Sequence, residues 1–398
     1  MANNNDKKVL NVPALRFPEF SGEWKHVHLK EIAEFQKQRI STALLNNNNY
    51  ISTENILQDF EGIQCSSSMP ANVNVIKYQN EDILLSNIRP YLKKVWFADR
   101  KGGCSADVLV LRGNKCDKYF LYYVIASDRF INYVMSGIKG VKMPRGDKNQ
   151  MEEYAFSIPT NMEQKRIAKF ISILDERIRL QNKIIEKYES LIQAMCDTLI
   201  ESEQLKVELS FNDFGKPYSG LSGKSAEDFG NGWPYITYMN VYQNQIIDIT
   251  DVGLVKINET EQQSVVRYGD ILFTLSSETP DEVGMGAVYL GDAYPLYLNS
   301  FCFGVHITDE SKIFSPFLAY YISTKTFRKA VFPLAQGSTR FNLQKNDFMK
   351  KIFHFPTVKK QSEIYSVLKA YSDKLSIEKN IVNLLCEQKS YLLRQLFI

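Results

Sequence analysis

The chain has 398 residues, of which 44% are hydrophobic and 23% charged, and a formal net charge of +3. It is too long for one typical domain, too apolar for a disordered chain and too near neutral for bulk charge to argue nucleic-acid binding. No run approaches the roughly 18 apolar residues of a membrane helix, the first residues lack a secretory apolar core, and the six cysteines form no Cys-x-x-Cys pair, so reduced thiols in a cytoplasm and no membrane partner are expected.

The first half opens with short strands punctuated by polar turns, notably Asn46 to Asn49. Asp82-Ile-Leu84 and Val108-Leu-Val-Leu111 read as strands. An amphipathic helix is predicted around 118–135, and Ala155-Phe-Ser-Ile-Pro159 reads as a closing strand. The period then changes. Ile167, Ile171, Leu174, Ile178, Gln181 and Ile185 follow a 4-3 heptad that continues to Leu199, as expected of a coiled-coil helix. The second half repeats this plan: strands at Asp270–Leu275 and Phe301–Ile307, a helix around 315–331, a strand ending at Pro356, and a second seam. That seam contains Ile364, Leu368, Tyr371, Leu375, Glu378 and Val382.

The repetition extends to residues. Tyr50-Ile-Ser-Thr-Glu-Asn-Ile56 matches Tyr235-Ile-Thr-Tyr-Met-Asn-Val241, Asp82-Ile-Leu84 matches Asp270-Ile-Leu272, and Gln164 with Ile167 matches Gln361 with Ile364. The expected fold is α+β: two similar α/β domains, 1–159 and 205–356, separated by two long antiparallel helices, 160–204 and 357–398, that form a coiled-coil spacer with an internal pseudo-two-fold. Such an object matches the way paired DNA readers engage two half-sites. Gln181 and Glu378 interrupt the apolar seams at equivalent places, and a polar layer there would fix register at some cost in stability. Replacing both by leucine is therefore expected to loosen helix alignment, which disulfide crosslinking along the helices measures.

Charge must be read locally. Lys325, Arg328, Lys329, Arg340, Lys345, Lys350 and Lys351 are bunched with one acid, Asp347, and the first half holds Arg129, Lys139, Lys142, Arg145 and Lys148 at the corresponding place. Such clusters suit phosphate contact. Gln336, Ser338, Thr339 and Arg340, around Gly337, are residue types that hydrogen-bond base edges. A second candidate segment follows each Asp-Ile-Leu strand: Ser86, Arg89, Lys93 and Lys94 in one half, Thr274 and Ser276 in the other. Polar surface loops remain the alternative for these.

Val12-Pro-Ala-Leu-Arg-Phe-Pro-Glu-Phe20 with Gly22-Glu-Trp24 and Leu29, Pro159 with Glu163-Gln-Lys-Arg-Ile167, and Leu392-Leu-Arg-Gln-Leu-Phe397 resemble the specificity subunits of Type I restriction-modification enzymes. The resemblance spans essentially the whole chain. It implies two target-recognition domains, each reading one half of a bipartite asymmetric site in double-stranded DNA, and helices that set the spacer and dock two methyltransferase subunits, with restriction subunits joining them. It implies no cofactor in this chain, S-adenosylmethionine, ATP and Mg2+ belonging to the partner subunits. One departure stands out: Lys360-Gln361-Ser362 replaces Glu163-Gln164-Lys165 in the second copy, which puts any contact of that glutamate in doubt there.

Catalytic readings fare poorly. No Asn/Asp-Pro-Pro-aromatic tetrapeptide and no phosphate-binding Gly-x4-Gly-Lys-Ser/Thr loop occur, and Gly284-Met-Gly286 is isolated. Pro280-Asp281 with Glu310-Ser-Lys312 formally fits a metal-dependent nuclease pattern, but its Glu-x-Lys sits in a turn and the first copy has no equivalent. A coiled-coil scaffold that binds only protein is the other alternative.

Overall fold

The computed structural model describes residues 11–398 apart from Ser67, Lys139, Val141 and Lys142. The chain divides into two compact units, residues 1–182 with 380–398, and residues 183–379. These units cut across both long helices, Asn161–Glu201 and Val358–Leu396, so each unit takes half of each helix along with its globule.

The first unit is built on a four-stranded antiparallel sheet ordered Ala33–Phe35, Val108–Gly113, Ile83–Ser86, Val95–Phe97. The second has the same order with Gly215–Ser219, Cys302–Ile307, Ile271–Thr274 and Gly286–Val288. The strands Ile83–Ser86 and Ile271–Thr274 are buried throughout, which explains why they read as continuous apolar runs without alternation. A short parallel pair accompanies each sheet: Tyr50–Ile51 beside Gly103 and Cys104, and Tyr235 and Ile236 beside Tyr297–Leu298. The strand before each long helix pairs antiparallel with a strand from the start of its own domain, Ala155–Ile158 with Lys25–His28 and Phe353–Pro356 with Lys206–Leu209.

The single helices predicted at 118–135 and 315–331 are each two. Lys118–Ile125 and Asp128–Ser136 are separated at Ser127, and Ser315–Tyr321 and Lys325–Val331 at Thr324. The Ser127 hydroxyl accepts from the Phe130 amide and Thr324 Oγ1 from the Phe327 amide. Each caps a fresh N-terminus, a signal present in the sequence but overridden by the apolar periodicity on either side.

Every predicted seam position on the long helices is buried or half-buried. In the first unit Ile167 and Ile171 share one core with Leu392, Leu396 and Phe397. In the second, Ile192, Cys196 and Ile200 share one with Ile364 and Leu368. The start of one helix lies with the end of the other in each unit, so the helices run antiparallel. Two polar interruptions are satisfied within their units: Lys389 pairs with Asp175 at 2.6 Å, and buried Glu378 with Lys374 at 2.8 Å. The Tyr123 hydroxyl reaches Asp175 at 2.8 Å, and the Tyr320 hydroxyl reaches Ser372 at 2.9 Å, the equivalent pair.

Glu163 is fully buried and receives Arg16 in a two-pronged pair, Nε to Oε1 at 2.7 Å and Nη2 to Oε2 at 2.8 Å, with Trp24 Nε1 at 3.3 Å. The opening Pro-Ala-Leu-Arg-Phe and Gly-Glu-Trp motifs are thus a strap that closes on the first long helix. Lys360, its counterpart, instead meets Glu363 and Glu203 at 3.4 and 3.8 Å at the surface. Glu163→Ala leaves the Trp24 indole N–H and the partly buried Arg16 without their carboxylate and is expected to destabilise the chain by about 3 kcal/mol. Lys360→Ala should cost under roughly 0.5 kcal/mol. Urea denaturation of the two variants measures both.

Candidate DNA-reading surfaces

In each unit two loops far apart in sequence meet at one edge. In the first, Ile88 bridges Arg145, the Arg89 amide donates to the Pro144 carbonyl at 2.8 Å, and the Gly146 amide to Asn87 at 3.2 Å. In the second, Ser276 pairs with Asn342 and Ser277 with Phe341. The bridge Ile88–Arg145 and the pair Ser276–Asn342 occupy equivalent places in the two copies. The two segments singled out independently in each half are therefore one surface.

On the first surface Arg89 is exposed and carries no side-chain hydrogen bond or ion pair among the described residues. It sits at a φ of 50°, and Lys93 has the same φ, so both ends of the turn Pro90–Leu92 adopt a left-handed conformation that costs energy for non-glycine residues. Arg145 is exposed with only a surface pair to Asp107 at 3.0 Å. The lysines are more committed. Lys93 pairs with Asp128 at 2.6 Å, Lys94 donates to the Thr53 carbonyl at 2.9 Å, and Lys148 lies over the Phe35 ring at 5.0 Å. Ser86 is buried and its hydroxyl donates to the Ile88 carbonyl, so it holds the loop and offers no reading group. Lys139 and Lys142 lie outside the described residues.

On the second surface Ser338, Thr339 and Arg340 are exposed on the turn between Ala335–Gln336 and Phe341–Leu343, and Gln336 is exposed at the strand end that enters it. Gly337 has a φ of +141°, and a Cβ there would fall on the Arg340 carbonyl oxygen. Thr274 is fully buried with its hydroxyl on the Met285 carbonyl, and so is not a reading residue. Ser276 is half-buried, and its carbonyl accepts the Tyr238 hydroxyl at 2.8 Å. Arg328 does not face solvent as a phosphate contact would. Its guanidinium donates to the carbonyls of Gly284, Asp281 and Val283, each at 2.7 Å, and burial pushes its pKa down. Lys345 lies over the Phe303 ring at 5.4 Å, its pKa likewise lowered by burial. Charge alone had marked Arg328 and Lys345 as contacts; their surroundings assign them to packing.

A groove of about 350 Å³ opens beside this turn, lined by Tyr238, Tyr242, Glu278, Glu282, Phe301 and Arg340 among others. Tyr238 and Tyr242 stack with centroids 5.9 Å apart on the helix Tyr238–Gln243. Sequence reasoning used Tyr235–Val241 only as a repeat marker and missed the groove. Its linings come from four separated stretches, and the closely spaced Tyr235, Tyr238 and Tyr242 were the one available signal. The nuclease pattern gains nothing. The Asp281 carbonyl serves Arg328, Lys312 is held by Asp309 and the Asp213 carbonyl, and no cluster of metal-ligating side chains occurs among the described residues.

A model of the Type I restriction modification DNA specificity domain matches the chain twice, over residues 21–190 and 219–386. The chain belongs to that family. It is similar to the Type I restriction enzyme MjaVIII specificity subunit of Methanocaldococcus jannaschii, 24% identical over 92% of this chain and 89% of that one. Its fold is similar to that of the Type I restriction-modification S subunit from M. genitalium, with a TM-score of 0.56 at 17% identity, covering 97% of this chain and 99% of the other. It is also similar to a chain from a structure of Type I R-M complex assembly and conformational transition, with a TM-score of 0.57 at 18% identity, over 93% and 96% of the two chains. Among the described residues no helix is long and apolar enough to cross a membrane.

Arg328→Ala leaves the buried Gly284 and Val283 carbonyls without their donor and is expected to lower stability by about 2 kcal/mol, visible in thermal unfolding. Gly337→Ala should lower the melting temperature less than Arg328→Ala does, because its clash with the Arg340 carbonyl is confined to one exposed turn.

Proposed function

We propose that this specificity-family chain is the non-catalytic DNA reader of a cytoplasmic Type I restriction-modification complex, and that each unit reads one half of a bipartite site in double-stranded DNA. The observation that carries this reading is the repeated juxtaposition of two polar loops at one edge of each unit. It presents uncommitted arginines, Arg89 in one and Arg340 in the other, on equivalent scaffolds. Two dissimilar surfaces on a duplicated framework are what an asymmetric site requires, because the frameworks fix the geometry while the loops select the bases.

In this reading the long helices set the distance between half-sites and dock two methyltransferase subunits, with restriction subunits joining the assembly. Each unit leaves large apolar side chains exposed on both helices: Phe170, Ile173, Leu180, Leu384 and Tyr391 in the first, and Ile184, Leu191, Val367 and Ile377 in the second. Exposed apolar side chains beside an already filled seam suit additional helices. S-adenosylmethionine, ATP and Mg2+ are then the partners' cofactors, and this chain needs none.

A gel-shift series with the methyltransferase present tests the reading. Specific binding to one bipartite sequence is expected, weakening as salt rises, and Arg89→Ala is expected to lower affinity and reduce the salt slope by about 1 if it meets phosphate. A protein-only scaffold would bind no sequence specifically. Ile173→Glu with Leu384→Glu should abolish methyltransferase co-purification while leaving the seam, and hence helix content, intact.

A further inference from the structure

The groove beside the second unit's reading turn holds two opposite charges that do not neutralise each other. Arg340 is exposed and makes no ion pair or side-chain hydrogen bond among the described residues, and the same is true of Glu278. Glu278 is nevertheless held on a fixed turn, because its two neighbours are tied down by one carboxylate. Thr279 Oγ1 donates to Glu282 Oε2 at 2.8 Å and Ser277 Oγ to the same oxygen at 3.2 Å, while the Tyr242 hydroxyl reaches Glu282 Oε1 at 2.7 Å. The Tyr242 hydroxyl above all, then those of Thr279 and Ser277, hold the Glu282 carboxyl below the ordinary glutamate range, so this clamp stays ionised at neutral pH. The strand Ser276–Ser277 that leads into the turn is in turn paired with Phe341 and Asn342, next to Arg340. Glu278 and Arg340 therefore project from one hydrogen-bonded ribbon.

A free carboxylate on a DNA-facing surface repels phosphate and is favourable only toward a donor, and in the major groove the donors are the amino groups of cytosine and adenine. A free guanidinium matches guanine O6 and N7. One base pair presents both patterns side by side. Resting on the DNA-reading function proposed above, we propose that Arg340 and Glu278 together read a single G·C pair in the second unit's half-site, Arg340 donating to guanine O6 and N7 and Glu278 accepting from the cytosine N4 amino group. Glu282 is the positioning residue that keeps Glu278 in place, and the stacked Tyr238 and Tyr242 also line the groove.

The experiment uses the chain assembled with its methyltransferase and the recognition sequence obtained from methylome sequencing of the host. Binding is measured to duplexes substituted one pair at a time in the second half-site. At one G·C pair, replacement by A·T is expected to weaken the unaltered complex roughly tenfold to a hundredfold. At that pair 7-deazaguanine should weaken the unaltered complex but not Arg340→Ala, and a cytosine analogue lacking the N4 amino group should weaken the unaltered complex but not Glu278→Ala. Discrimination elsewhere in the site should persist in both variants, and Glu278→Gln should shift preference at the pair toward adenine. If Arg340→Ala weakens all sequences equally with a shallower salt slope, or Glu278→Ala tightens all equally, the residues act on phosphate and the proposal falls while the DNA-reading function stands. If the unaltered complex shows no sequence preference at all, that function falls as well.

Discussion

A buried glutamine amide at the first turn of each long helix fixes how that helix leaves its globule. Gln164 Oε1 accepts the Asp117 amide at 2.8 Å while its Nε2 donates to the Pro159 carbonyl at 2.9 Å. Gln361 does the same with the Phe314 amide and the Pro356 carbonyl, both at 2.8 Å. Each amide joins three elements at once: the end of the closing strand, the start of the long helix and the N-terminus of the first amphipathic helix. A buried amide with both ends satisfied tolerates little displacement, because moving any partner orphans a polar group in a dry site. The direction in which each helix leaves its globule follows from that anchoring.

With the scaffold fixed twice by the same device, divergence is confined to what lies around it. The turn repeated before each central strand illustrates this. Asp82 accepts the Gln79 amide and Asp270 the Arg267 amide, at 2.7 and 2.8 Å. Yet Asp82 is neutralised by Arg112 in a bidentate pair, while Asp270 meets His306 at 2.9 Å and the Tyr218 hydroxyl at 2.8 Å. The backbone role is common and the side-chain partner is not. The polar edges show the same economy: one bridge geometry carries Arg89 and Arg145 in the first unit and the glycine turn with Arg340 in the second. Only the first unit has the Arg16–Glu163 strap, since Lys360 cannot receive an arginine.

Much of the scaffold was legible because its signals are local. The 4-3 spacing of Ile167 to Val382 through both helices needs no tertiary knowledge, and neither do Pro159 and Pro356 as strand ends. The capped breaks at Ser127 and Thr324 were local too, but hidden by apolar residues that pack both halves of each helix pair into the same core. The candidate surfaces were less legible. The sequence singled out two polar segments in each half but not their meeting at one edge, and it did not show that Ser86 and Thr274 are buried or that Arg328 and Lys345 are committed to carbonyls and a ring. A formal charge carries no information about whether solvent or backbone surrounds it.

The sequence by itself determined that the chain is duplicated and that a long heptad-patterned helix follows each globule, because a heptad is set by residues three and four apart and a repeat is visible by matching one segment of the chain against another. Only the tertiary structure decided which polar residues are free to meet a ligand. Glu278 and Arg340 are separated by the strands, helices and turns that fold between them, and their sharing of a groove is a consequence of strand pairing. Which cations remain unpaired is likewise set by the partners that burial supplies.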